Sequence, residues 1–270
     1  MDRIIKINDT AFFEPYLLQS LREKDKEPIK RPLLIVIPGG SYTFISPREG
    51  QPVALKANTY GYHAVVLSYT TLPDKMELSL DNLMNEFFYL YNWIQNLDDS
   101  YQVDKSRIFA VGFSAGGHLA AWASLKFPQA LKAVALGYGA IGFSADEIKT
   151  AYDTAAEQMG GIDAVDEKTL REGQALLKLM EQAPLDHMTE NTPPTFLFHT
   201  MEDKLVPVRQ SLDYAKKLNS LGVATELHCY GFGEHGLSLA DNTTATMPGQ
   251  DLRPVETWFN LAMQFFSKIG

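Results

Sequence analysis

The chain has little cysteine, no excess of basic residues and no long apolar run. Cys229 is the only cysteine among the 270 residues, so an intrachain disulfide is excluded. The formal net charge is -9, and the scattered Lys and Arg residues form no basic stripe, which argues against a nucleic-acid partner. No segment has the apolar length of a membrane-spanning helix or of a signal peptide. We therefore expect a cytoplasmic protein without a membrane partner, and the alternative is a secreted form whose leader was removed.

What the chain does contain is an alternation of short β-rich runs with longer segments at helical spacing. This order predicts an α/β fold, in which helices cover both faces of a mostly parallel sheet. The first two strands are more polar and lie close together, so we expect them to form an antiparallel edge that would allow homo-oligomer formation. Strands are predicted at 4–7, 12–19, 33–37, 64–69, 107–111, 133–137, 195–200 and 224–230. Helices are predicted at 77–97, 115–126, 166–181, 208–221 and 255–268.

One segment interrupts this alternation. We expect residues 1–270 to form a single α/β domain, within which residues 141–191 contain no convincing strand. An insertion between two strands of a parallel sheet would lie over the carboxyl edge, where ligands bind. The pattern therefore predicts a small cap insertion, and the alternative is a pair of ordinary covering helices with long loops.

The stretch from Arg107 to His118 reads as an apolar strand, a glycine-flanked serine and the first turn of a helix. A G-x-S-x-G match in this context predicts a nucleophile elbow. Gly112 and Gly116 would make the strained turn sterically accessible, which lifts Ser114 clear of the sheet. The N–H of Ala115 and the N-terminus of the helix favour negative charge beside the serine.

A serine nucleophile needs a histidine that takes its proton and a carboxylate that orients the histidine. His235 lies in a glycine-flanked loop after the last predicted strand, which would let its imidazole reach a shared site. We expect it to be the base. The other histidines, which we expect to pack in the fold or lie on its surface, are His63, His118, His187, His199 and His228.

Asp203 is the best candidate for the carboxylate. It follows the strand predicted at 195–200, and Pro207 then begins a helix, so the side chain is expected at the same sheet edge as Ser114. Glu202 is the local alternative, but a shorter side chain is held more firmly in a tight turn. The resulting order Ser114, Asp203, His235 is the chain order of an α/β hydrolase.

Acyl transfer also needs hydrogen-bond donors for the oxyanion of the tetrahedral intermediate. The strand at 33–37 ends in the sequence Pro38-Gly-Gly-Ser-Tyr42, whose glycines let the bare backbone approach a reacting carbonyl. We expect the N–H of Ala115 to act together with that of Ser41 or Gly40. A simple Gly-Gly turn is the alternative.

Taken together, the motifs at 38–41, 112–118, 199–208 and 233–236 resemble those of the α/β-hydrolase superfamily. Within it, the chain is similar over nearly its whole length to small esterases of the acetyl-xylan-esterase and carbohydrate-acetylesterase type. One departure is that Pro38 and Ser41 stand where many relatives have the first and fourth residues of His-Gly-Gly-Gly. The backbone donors survive that change.

The predicted reaction is two-step hydrolysis of a small-molecule ester, and the resemblance implies a short acyl group such as acetate on a sugar hydroxyl. Tyr42 and Phe143 are expected to line a compact substrate pocket. The sequence has no His, Asp and Cys spacing that would require a metal, so we expect no metal and no organic cofactor.

Other functions are compatible with the same residues. An amidase, an arylformamidase or a peptidase would use the same triad, because fold alone does not fix function. The absence of a large N-terminal domain argues against an oligopeptidase-like enzyme. A catalytically silent fold that binds a ligand is a further alternative, against which the presence of all three triad residues argues.

Overall fold

The computed structural model describes residues 4–19, 29–72, 78–150, 167–247 and 254–270. These ranges contain one eight-stranded sheet with the order β1-β2-β4-β3-β5-β6-β7-β8. The pairs β1–β2 and β2–β4 are antiparallel and all the others are parallel, so the predicted α/β fold with an antiparallel N-terminal edge is confirmed. The strands are β1 (Ile5–Lys6), β2 (Phe12–Tyr16), β3 (Arg31–Ile37), β4 (His63–Ser68), β5 (Val103–Phe113), β6 (Ala133–Gly137), β7 (Thr195–Thr200) and β8 (Thr225–Tyr230).

Besides the helical residues 145–150, the same ranges contain six α-helices. They are α1 (Gln51–Thr59), α2 (Leu80–Gln95), α3 (Ala115–Lys126), α4 (Glu167–Met180), α5 (Arg209–Ser220) and α6 (Trp258–Ile269). All but α1 match predicted helices, and the predicted starts at 77 and 166 lie outside the described residues. The sequence pattern does not predict α1, because a proline lies in its first turn and its buried residues give only a weak apolar period. These residues are Val53, Ala54 and Ala57. No helix in the described ranges combines the length and apolar character that a bilayer crossing needs.

The sheet has a separate apolar core on each face. Along β5, Ile108 and Ala110 join the core beneath α2, α3 and α5, whereas Phe109 and Val111 join the core beneath α1 and α6. This alternation follows from the two-residue period of a strand. Because both faces are covered, the remaining accessible parts of the sheet are its ends and its edges. β8 forms one lateral edge, where Cys229 is exposed.

Part of the predicted cap insertion is described. Residues 145–150 are helical, α4 follows, and a 3-10 turn at Pro184–His187 leads back toward β7. Residues 151–166 lie outside the described ranges. No strand occurs in the described part of 141–191, as the sequence predicts. The assignment of this segment as a cap stays a prediction.

Candidate active site

Ser114 occupies the sharp turn between β5 and α3. Its backbone angles are φ 51° and ψ -120°, a combination that a residue with a side chain adopts only under strain. Hydrogen bonds fix the turn: the N–H donates to the carbonyl of Gly137, and the carbonyl accepts the N–H groups of Gly117 and Ala140. The strand-to-helix elbow that the sequence predicts is therefore present in the backbone.

Two glycines make this turn sterically accessible. A Cβ atom at Gly112 would lie 2.3 Å from the carbonyl oxygen of Gly116. One at Gly116 would lie 2.2 Å from the carbonyl oxygen of Ile37 at the end of β3. Both distances are far below van der Waals contact, so any larger residue would push α3 away from the sheet.

The structure brings together the three side chains that the sequence selects. His235 Nε2 lies 2.8 Å from Ser114 Oγ, and His235 Nδ1 lies 2.7 Å from Asp203 Oδ2. They come from three segments that follow β5, β7 and β8 at the carboxyl edge of the sheet. The local alternative, Glu202, points elsewhere and accepts the N–H of Gly233 at 3.0 Å.

Asp203 is held by four donors. Its Oδ1 atom accepts the N–H groups of Leu205 and Val206, each at 2.9 Å, while Oδ2 accepts from His235 and, at 3.1 Å, from His199 Nε2. Burial alone would raise the pKa of this carboxyl group. The hydrogen bonds from the two histidines and the charge of His235 outweigh burial and hold its pKa well below the usual range. Asp203 therefore stays ionised and fixes the imidazole of His235.

His199, which the sequence predicts to be a packed or surface histidine, is buried and supports Asp203. It is fully buried, and its Nε2–H group also lies 2.9 Å from the carbonyl oxygen of Val206. Its Nδ1 atom is 2.8 Å from the hydroxyl of Ser211 on α5. The available signal was its position four residues before Asp203, at the end of β7. His199 thus braces the acid from the side opposite His235.

The loop after β3 has an unusual backbone. Gly40, Ser41 and Tyr42 have φ values of 128°, 53° and 58°, and a Cβ atom at Gly40 would lie 2.0 Å from the carbonyl oxygen of Phe44. Among the described residues, the N–H groups of Gly40, Ser41 and Ala115 donate to no acceptor. The assignment of these three groups as oxyanion donors stays a prediction. We call residues 39–44 the oxyanion loop.

A cavity of about 160 Å³ opens beside Ser114. Ser41 and Ala115 line it near the serine, together with both residues predicted for the pocket, Tyr42 and Phe143. Its remaining walls are apolar side chains from α4 and from the segments around β6 and β7: Ala140, Leu176, Met180, Leu205 and Val206. Part of segment 141–191 thus borders the cavity.

His118 connects the oxyanion loop to the end of that segment. It is fully buried on α3, with Nδ1 2.8 Å from the hydroxyl of Tyr42 and Nε2 3.1 Å from the carbonyl oxygen of Gln182. Burial lowers the pKa of His118 to about 4, although the hydrogen bond to Gln182 opposes the shift. A neutral imidazole therefore accepts from Tyr42 and donates to Gln182.

This arrangement is suited to covalent acyl transfer. An activated hydroxyl, an imidazole aligned by a carboxylate and free backbone N–H groups meet next to an apolar cavity. Within the described ranges, no group of three or more His, Cys, Asp or Glu side chains is placed to hold a metal ion.

Comparison with known proteins gives the context of this site. The sequence profile of the prolyl oligopeptidase family matches residues 77–260, more than half of the chain, and includes Ser114, Asp203 and His235. The curated endo-1,4-β-xylanase B of Butyrivibrio fibrisolvens is 28% identical over 233 residues, which cover 85% of this chain but only 36% of the xylanase.

Solved structures match over almost the entire length of both chains. A carboxylesterase from Lactobacillus plantarum is 26% identical with a TM-score of 0.76, covering 98% of this chain and 96% of the other. An acetyl ester-xyloside bifunctional hydrolase from Caldicellulosiruptor lactoaceticus is 27% identical with a TM-score of 0.72, covering 99% and 96%. The described fold is therefore shared with hydrolases of similar size.

Proposed function

The chain belongs to the prolyl oligopeptidase family, and we propose that it is a serine carboxylic-ester hydrolase acting on short-chain acyl esters. The observation that carries the proposal is the contact of His235 with both Ser114, at 2.8 Å, and Asp203, at 2.7 Å. These distances are those of working hydrogen bonds between a nucleophile, a base and its orienting carboxylate.

The reaction has two steps. His235 removes the proton of Ser114 as the hydroxyl attacks the ester carbonyl, and the N–H groups of Ala115 and of Ser41 or Gly40 bind the oxyanion. His235 then gives the proton to the departing alcohol, which leaves an acyl-enzyme on Ser114. Water repeats the sequence and releases the acid.

The cavity is the proposed binding site of the acyl group. The departing alcohol must lie next to His235, which protonates it, and His235 is not among the residues that line the cavity. Ser114, Ser41 and Ala115 do line it, so the acyl chain extends into the cavity. A dry cavity of about 150 Å³ accommodates benzene, so this one suits acyl groups of up to about six carbon atoms.

The alcohol is proposed to be a carbohydrate. The support is the likeness over 99% of the chain to a hydrolase described as acting on acetyl esters and xylosides. Segment 141–191 would act as the cap over this substrate, because Leu176 and Met180 border the cavity. A panel of acetylated oligosaccharides compared with simple aryl esters tests the assignment, and acetate release from the aryl esters alone would contradict it.

The ester hydrolase itself is tested with two reagents. A fluorophosphonate probe should label the wild-type protein and fail to label Ser114→Ala. In a p-nitrophenyl ester series, the acetate and butyrate esters should be cleaved faster than the dodecanoate. Absence of labelling and of turnover in the wild-type protein would favour a ligand-binding module instead, and a preference for long chains would refute the acyl assignment.

Hydrolysis of an amide is the second candidate, since the matching profile is that of a peptidase family. The same triad cleaves amides, including the N-formyl amides that an arylformamidase takes. Measuring an N-formyl aryl amide and a proline-containing peptide beside the ester series separates the candidates. Turnover of either amide without ester hydrolysis would replace the esterase proposal.

A further inference from the structure

Glu49 is a buried carboxylate directly behind the oxyanion loop. It lies in the 3-10 turn Pro47–Glu49 between β3 and α1, and only 3% of its surface is exposed. Its Oε2 atom accepts the N–H of Gly39 at 2.7 Å, and its Oε1 atom accepts the hydroxyl proton of Tyr138 at 2.6 Å. Neither donor is charged, so backbone and phenol hydrogen bonds hold this carboxylate.

Tyr138 links Glu49 to the loop that carries His235. Its ring packs edge-on against the imidazole of His235 with the centroids 4.9 Å apart. Its hydroxyl oxygen also accepts the N–H of Ser238, at 2.8 Å, three residues after His235. Burial raises the pKa of Tyr138 well above its usual range, and the charge of Glu49 raises it further. The hydroxyl therefore stays protonated and donates to Glu49.

Gly39, the second hydrogen-bond partner of Glu49, lies against Ser114. A Cβ atom at Gly39 would lie 2.9 Å from both Glu49 Oε2 and Ser114 Cβ, so the oxyanion loop runs directly against Ser114. The next two residues, Gly40 and Ser41, bear the proposed oxyanion donors. A shift of Gly39 away from Glu49 would displace these donors from the reacting carbonyl.

From this geometry we infer that Glu49 is a positioning residue, which holds the oxyanion loop and the loop of His235 in fixed places around Ser114. The inference rests on the proposed function and deepens it. Both Glu49 and Gly39 lie outside residues 77–260, the part matched by the family profile.

A carboxylate is required because both of its partners are donors. The N–H of Gly39 and the O–H of Tyr138 each need an acceptor, and a carboxylate offers two acceptor oxygens and no proton. A glutamine offers one oxygen and an amino group, so one buried donor would face another donor. Leaving a buried donor unpaired is costly, so one of the two loops would move.

The role predicts a specific kinetic signature. The donors of the oxyanion loop bind the transition state more strongly than the substrate, so their displacement lowers kcat and leaves KM nearly unchanged. It also weakens an inhibitor that forms a tetrahedral oxyanion on the serine. Substitution of a residue needed only for stability would lower the fraction of folded protein. It would change neither kcat per active site nor the affinity of the inhibitor.

The test compares Glu49→Gln with a matched control, Glu86→Gln. Glu86 is also a buried glutamate, 2% exposed, and accepts hydrogen bonds from Asn8 and from the backbone of Thr70, both at 3.0 Å. Complete labelling with a fluorophosphonate counts the active sites in each preparation. The measurements are Tm, kcat and KM for p-nitrophenyl butyrate, and Ki for a short-chain trifluoromethyl ketone.

For Glu49→Gln we expect kcat per active site to fall about 10-fold to 100-fold, as for a small displacement of catalytic groups. KM should change by less than about threefold, and Ki for the ketone should rise in proportion to the loss in kcat. Glu86→Gln should lower Tm while kcat stays within about twofold of wild type, because its partners lie outside the triad and the oxyanion loop.

Tyr138→Phe supplies a second measurement that also serves if Glu49→Gln does not fold. It keeps the ring against His235 and removes the hydroxyl, so kcat should fall with KM preserved. In the double variant the losses in kcat should be less than multiplicative, because both changes break the same connection. Wild-type kcat and Ki in Glu49→Gln, or in Tyr138→Phe if only that variant folds, would overturn the inference while the ester hydrolase stands. A wild-type protein that neither labels nor turns over would overturn the proposed function first.

Discussion

On one side of the site, which we call the triad side, Ser114, His235 and Asp203 bind one another directly through their side chains. On the other, the oxyanion side, the proposed donors are the backbone N–H of Ala115 and that of Ser41 or Gly40, and buried side chains hold the oxyanion loop from behind. His118 does so through Tyr42, and Glu49 through Gly39. The triad side thus carries its own alignment, whereas the oxyanion side depends on residues that never meet the substrate.

Ser114→Ala, on the triad side, should cause the largest loss in kcat. Removing the nucleophile should lower kcat between about 10³-fold and 10⁶-fold, because the acyl-enzyme can no longer form. The residual rate above that of the uncatalysed reaction would measure what the oxyanion side contributes alone. Steady-state hydrolysis of p-nitrophenyl butyrate is the assay, and a loss below tenfold would disprove the role of Ser114.

Asp203→Asn should have the next largest effect. An amide in place of the carboxylate would stabilise the wrong tautomer of His235, and kcat should fall about 10³-fold to 10⁴-fold. The matched control is Glu202→Gln, since Glu202 is the neighbouring carboxylate and accepts a hydrogen bond from the backbone of Gly233 rather than from His235. Its kcat should stay within about threefold of wild type. Equal losses in the two variants would shift the orienting role toward Glu202.

On the oxyanion side, Gly40→Ala should lower kcat about 100-fold, the cost of losing one oxyanion donor. The new methyl group would lie 2.0 Å from the carbonyl oxygen of Phe44, so the loop has to move. Gly222→Ala is the control, because Gly222 also has a positive φ but nothing lies within 4 Å of the added carbon. It should cost stability without lowering kcat. Normal kcat in Gly40→Ala would show that this loop supplies no donor.

The smallest predicted effect concerns the dependence of stability on pH. The pKa of His118 is about 4 in the folded protein, below the 6.5 of an unfolded chain, so the unfolded state binds the proton first. Above pH 6.5, His118 therefore does not lower the free energy of unfolding. As the pH falls to 4, it lowers that free energy by about 3 kcal/mol. Urea unfolding of His118→Gln should show a flatter pH dependence over that interval. An unchanged slope would exclude His118 as the titrating group.

What could be predicted from the sequence cuts across this division and depends on how local the signal is. The strands and the three triad side chains follow from local patterns, namely apolar runs, a glycine-flanked serine and residues placed just after strands. The loop predicted at 38–42 also lies at the carboxyl edge of the sheet, directly after β3. Each of these signals lies within a few residues of the group that it identifies.

Glu49, Tyr138 and His199 gave no comparable signal. The interaction of Glu49 with Tyr138 joins residues 89 positions apart, and no periodicity relates them. His199 resembles an ordinary strand residue in the sequence because its partner Ser211 lies 12 positions away, on α5. Helix α1 was missed because alanine contributes little to an apolar period. Contacts that depend on tertiary packing were therefore the part that sequence reasoning could not reach.

The exposed position of Cys229 has a practical consequence. It is the only thiol of the chain, and it lies on the edge strand β8, six residues before His235. A maleimide dye or a nitroxide can therefore be attached at one defined point without engineering, close to the loop that carries His235. Partial burial raises the pKa of this thiol, so attachment should proceed faster in mildly alkaline buffer. The wild-type chain thus comes with its own reporter for watching that loop in solution.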